Sequence, residues 1–277
     1  MIMEIGNIYY FLSLILLFGI PVVLYLMLRN KSKTTVKCIL FLLVFANFLL
    51  HFLKILHPSY QAEMNYSLIR MSLENICGVT TVFLPFAMLS KNKTIKGYFY
   101  SIAIIGGLMA VLITTDPVGK PITEFNTIRY YVCHYILFSV PIVGLLTGEF
   151  QPKLLSAIFM PFIFLIGQTV ILLNEFFLVA VGLVKYVPEM FFSAEWRNAA
   201  FVFGPSSDYE FIAETFPFLI PDIFRTNFLG IEGIENFYCP VLWALVPSLI
   251  VYPIVYFLLC LPFVIRNKKN ERKLLIK

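Results

Sequence analysis

Apolar residues along this chain come in long blocks, without the two-residue alternation of a half-buried strand. Seven runs reach or approach the length of a membrane crossing: Ile8 to Leu28, Cys38 to Leu56, Leu73 to Leu89, Gly97 to Thr115, Tyr130 to Gly148, Leu154 to Leu173 and Val241 to Ile265. Lipid offers backbone groups no partner, so such runs must be helices. The predicted fold class is all-α: a polytopic membrane helical bundle of about seven transmembrane helices, with residues 1–277 as a single transmembrane domain. The first run is too long for a signal-peptide core and has no basic stretch before it, so it is read as a retained span.

Composition agrees, with 60% hydrophobic and 13% charged residues over 277 positions, which excludes a soluble single-core domain. Charge adds orientation. Arg29, Lys31, Lys33 and Lys37 fill the first loop, Lys91, Lys93 and Lys96 the third, and six Lys and Arg residues the tail at 266–277. Basic loops stay cytoplasmic, so the N-terminus is expected outside and the C-terminus inside, in the plasma membrane of the cell. The net charge of +5 then faces anionic headgroups, and no aromatic-basic pattern points to nucleic acid. One region is too polar to span: residues 175–239, with WRNAAFVFGPSSDYEF and FPFLIPDIFR, are read as an extracytoplasmic loop or cap between the sixth and seventh spans.

Several spans carry polar residues toward the expected outer side. Asn47, His51 and Lys54 stand at i, i+4 and i+7, one stripe of a helix; Glu74, Cys77 and Thr81 make a second, with Asn75 beside them. Gln168 and Glu175 form a third stripe, and His134 comes from the fifth span at a similar depth. With its helix counted from Leu73, Cys77 lies about 6 Å below the outer end. Ionisable side chains inside a membrane face the bundle interior by default and mark functional candidates. Blander readings stay open: a small apolar filler for Cys77, an interhelical hydrogen bond for each His, a first-turn acid for Glu74, and a snorkelling Lys54.

The scattered cysteines form no metal pattern, and no phosphate loop or GxSxG elbow is present, so no metal or cofactor is expected. The chemistry left is a thiol with an imidazole to take its proton. Cys77 would attack an ester carbonyl and His134 would act as base and then acid, while Asn75, Asn47 or His51 donate to the oxyanion.

At these residues the chain resembles a known family. FNTIRYYVCHYILFSVP, the strongest piece, with GGLMAVLITTDP and ENICGVTTVFLPFAML, is similar to elements of the YwaF-type integral membrane proteins of bacteria, related to the animal acyltransferase called transmembrane protein 164. Arg129, Tyr130, His134 and Pro141 match its fifth-span pattern, and Cys77 its cysteine. The resemblance implies a helical bundle that transfers or hydrolyses lipid acyl chains through Cys77 and His134, with membrane lipids as the expected substrates. Two other classes stay open: a transporter or binding protein whose outward-facing polar cavity is lined by Asn47, His51, Lys54, Glu74, Gln168 and His134, and a structural or assembly factor without a ligand.

Overall fold

The computed structural model describes residues 1–114, 116–185, 201–204, 217–225 and 238–275. Most of the expected cap over 175–239 therefore lies outside the described residues. Those described are helical, with one isolated antiparallel bridge, Ile2 to Pro121. The helices are α1 (Ile8–Leu28), α2 (Lys33–Leu53), α3 (Pro58–Gln61), α4 (Met64–Met71), α5 (Ile76–Leu89), α6 (Lys93–Leu112), α7 (Phe125–Thr147), α8 (Met160–Ala180) and α9 (Leu245–Leu275). Side-chain caps set several starts: Asn7, Ser32 and Asn92 each accept an amide of the turn that follows. Short 3-10 turns extend α2 to Leu56 and precede α8 and α9.

Six of these segments are long and apolar enough to cross a membrane. The expected third span is not one helix. α5 holds 14 residues, about 21 Å at the helical rise, which is short of the hydrocarbon thickness. It follows α4 across a break with a 53° bend, so the pair is either a broken seventh span or a re-entrant loop. At the far end, α9 continues as helix through the basic residues to Leu275. The chain is a membrane protein built from helices, with six or up to seven candidate spans among the described residues.

The residues cluster into two compact units, the first comprising Met1–Ser59, Thr80–Leu154 and Leu259–Lys277. Its centre is α7, which packs against α1, α2 and α6. α6 can approach because Gly107 has no side chain: a Cβ there would lie 2.8 Å from both the His134 carbonyl oxygen and the Phe138 amide nitrogen. Tyr100 fills a similar space against Gly144. A buried polar clasp closes one end. Lys96 pairs with Glu149 at 3.3 Å, the Tyr100 hydroxyl donates to Glu149 at 2.9 Å, and Arg266 donates to the carbonyls of Leu145 and Leu146. The latter two belong to the last turn of α7, where carbonyls lack intrahelical partners.

The second unit comprises Tyr60–Val79 and Leu155–Leu258. Ile69 from α4, Val79 from α5, and Ile171 and Leu178 from α8 form one core with Val202, Phe203 and Val241. Ile220, Trp243 and Ala244 form another, onto which Phe164, Leu165 and Phe201 pack.

Candidate functional site

Cys77 belongs to the second unit, and its surroundings are set by how α5 starts. Asn75 caps the helix: its Oδ1 accepts from the Gly78 amide at 2.8 Å, and the Val79 amide bonds back to the Asn75 carbonyl. The helix therefore begins at Ile76, three residues later than the apolar run suggests, and half-buried Cys77 is its second residue rather than lying 6 Å inside it. Glu74, just ahead of the cap, pairs with Arg70 one turn back in α4 at 3.5 Å. Arg70 in turn donates to the Tyr66 hydroxyl.

The break between α4 and α5 is pinned from α8. Ser72 donates to the Ile69 carbonyl and accepts from the Asn174 side-chain amide at 2.9 Å. Spacing did not single out Asn174, although an amide next to Glu175 is a signal of the same kind. α8 also buries Glu175 and Gln168, both 2% exposed. Gln168 lines a cavity of about 140 Å³ with Phe164, Phe201, Trp243, Ser248 and Tyr252.

In the first unit the nominated residues gather around α7. His134 is 8% exposed, and its Nδ1 lies 2.7 Å from the Tyr130 carbonyl oxygen. A carbonyl only accepts, so Nδ1 carries the proton and Nε2 the lone pair. Tyr130 holds the imidazole a second way, its ring centroid 4.3 Å from that of His134, while its hydroxyl donates to the Ala110 carbonyl of α6. Arg129 and Asp116 both act electrostatically on His134.

From α2, the stripe Asn47, His51 and Lys54 is buried throughout. Asn47 reaches the Cys133 carbonyl at 3.5 Å, a long contact, and its buried Oδ1 has no hydrogen-bond partner among the described residues. Lys54 and Arg129 both act electrostatically on the buried Cys133 thiol. Cys133 is thus a second thiol in polar surroundings that spacing did not single out, because it adjoins His134 in sequence and points elsewhere on the helix. Thr81, also buried, falls in this first unit, whereas Glu74, Asn75, Cys77 and Gln168 fall in the second. Among the described residues, no group of three or more His, Cys, Asp or Glu side chains could hold a metal ion.

No curated protein and no solved structure matches the chain. The TMEM164 family model matches residues 4–206, a stretch holding both Cys77 and His134, and the chain belongs to the TMEM164 family.

Proposed function

We propose that this membrane protein is a lipid acyltransferase or acyl-ester hydrolase in which Cys77 takes the acyl chain and His134 handles the proton. The observation that carries the proposal is the imidazole tautomer. With its proton held at Nδ1 by the Tyr130 carbonyl, His134 keeps the Nε2 lone pair for accepting a proton. Cys77 adds a nucleophile in the first turn of a helix, where the positive end of the macrodipole favours an adjacent negative charge. The family resemblance through these same two residues points to acyl esters as substrates.

In the proposed reaction, Nε2 accepts the thiol proton as Sγ attacks the ester carbonyl. The tetrahedral intermediate collapses to a Cys77 thioester, and the departing alkoxide takes the proton from the imidazolium. A second alcohol, or water, then loses its proton to Nε2 and attacks the thioester, which releases the new ester or acid and regenerates the thiol. Nothing in this cycle consumes an oxidant or a cofactor. The proposal includes the plasma membrane as its location and a cytoplasmic C-terminus, supported by the basic loops.

The test is intact-mass analysis of protein incubated in phospholipid liposomes. A hydroxylamine-sensitive acyl adduct is expected on Cys77, absent in Cys77→Ser and longer-lived in His134→Ala. An adduct mapped to Cys133 would overturn the assignment, and full turnover by Cys77→Ala would overturn the reaction. A second reading, solute binding or transport, is favoured by the buried and unpartnered Asn47 Oδ1. It requires solute uptake into liposomes that persists in Cys77→Ala and falls in Asn47→Leu.

A further inference from the structure

The cavity of the second unit differs from the polar layers around His134 and Cys77. It lies between α8, which lends it Phe164 and Gln168, and the start of α9, which lends it Ser248 and Tyr252, with Trp243 in the turn before α9. Phe164 and Tyr252 pack with ring centroids 5.3 Å apart. Polar residues are among these, yet the cavity surface is almost wholly apolar. The Trp243 indole donates to the Phe201 carbonyl at 2.8 Å and the Ser248 hydroxyl to the Leu245 carbonyl at 2.9 Å. Gln168 Oε1 and the Tyr252 hydroxyl oxygen are buried behind the surface and offer nothing to an occupant.

Such walls select by size and close contact rather than by hydrogen bonds. Atoms lining an unfilled space lack dispersion partners on one side, and a hydrocarbon group of the right size restores them. The volume, about 140 Å³, approaches that of an apolar cavity that holds benzene. The cavity is only partly enclosed, and its neighbours identify the surrounding medium. Phe162 and Ile166 on α8, with Leu249 and Ile250 on α9, are between 42% and 62% exposed, on segments apolar enough to cross a membrane. Large apolar side chains exposed on such segments face lipid, so hydrocarbon chains run past the helices at this level.

We infer that this cavity binds a hydrocarbon chain of a membrane lipid, seating a stretch of about five or six carbons between α8 and α9. The site goes beyond the acyl chemistry proposed above and does not depend on it, since nothing in these walls reacts with the chain.

The probe is a phosphatidylcholine with two ether-linked chains, one carrying a diazirine, mixed into phosphatidylcholine nanodiscs that hold the protein. An ether has no carbonyl for Cys77 to attack, so the result is independent of whether Cys77 takes acyl groups. Light expels nitrogen and leaves a carbene that inserts into whatever touches the chain, and peptide mass spectrometry maps the adducts. Lipid-facing Phe162 and Ile250 calibrate the labelling. Trp243 decides, because it is 4% exposed and out of reach of lipid that merely borders the helices. Adducts are expected on Trp243 and Phe164 as well as on Phe162 and Ile250. Ser248→Phe places a ring in the cavity and should abolish the Trp243 adduct while sparing those on Phe162 and Ile250. Labelling of Phe162 and Ile250 without Trp243 would overturn the inference, and so would a Trp243 adduct that survives Ser248→Phe. The mapping on the unsubstituted protein decides even where Ser248→Phe fails to fold.

Discussion

Replacing Gly107 by alanine tests whether α6 and α7 touch backbone to backbone beside His134. The added Cβ would lie 2.8 Å from the His134 carbonyl oxygen and the Phe138 amide nitrogen, and 3.0 Å from the Phe138 Cβ. Ordinary contact begins at 3.4 Å, so the helices would have to part by roughly 0.6 Å. No side chain can rotate away, because two of the three obstructing atoms are backbone. Overpacking of this kind costs about 1–3 kcal/mol, set against about 1 kcal/mol gained when alanine replaces glycine inside a helix. Gly19 in α1 supplies the control, since nothing lies within 4 Å of a Cβ placed there and Gly19→Ala keeps only the gain. Reversible unfolding by dodecyl sulfate in mixed micelles should therefore place Gly107→Ala about 1–3 kcal/mol below Gly19→Ala. The displaced α7 carries His134, so acyl turnover should fall in Gly107→Ala and hold in Gly19→Ala. Equal stability of the two variants would refute the close approach.

Three further outcomes are expected. Asn75→Ala removes the cap of α5 and should cost roughly 1 kcal/mol, with faster alkylation of Cys77 by a small maleimide as its first turn loosens; an unchanged rate would count against the cap. Glu149→Ala leaves Lys96 and Tyr100 facing an unfilled polar site and should cost about 3 kcal/mol in the same unfolding assay, whereas Tyr100→Phe should cost about 1 kcal/mol. In intact cells, a cysteine placed at Lys277 should resist a membrane-impermeant maleimide, and one placed at Glu4 should react; the reverse pattern would invert the proposed orientation.

Much of the architecture was legible because hydropathy is a local property. The blocks from Ile8, Cys38, Gly97, Tyr130, Leu154 and Val241 each fall on one helix, although α8 runs seven residues past Leu173 and α9 ten past Ile265, since any apolar segment in lipid must satisfy its own backbone. The run from Leu73 misled for an identifiable reason. Apolar content alone placed the helix start at Leu73, but Asn75 immediately before ICGV is a cap signal, and it set the start at Ile76. The polar stripe Asn47, His51 and Lys54 could be read from spacing, and all three are buried. Spacing puts Arg129 beside Cys133 and Tyr130 beside His134, each pair i, i+4 on one helix, but it could not show that Lys54 acts on the same thiol, or that His134 Nδ1 meets the Tyr130 carbonyl.

The sequence by itself determined a membrane protein built from helices, where most spans lie, and which polar residues sit inside them. These follow from transfer free energies and helical periodicity, which depend on residues close together in the chain. Only the tertiary structure decided which faces meet. Gly107 abuts His134, Asn174 holds Ser72, and Gln168 opens onto a cavity walled by Trp243 and Tyr252. Such pairings depend on distances between segments far apart along the chain, set by packing against neighbours that no local pattern names.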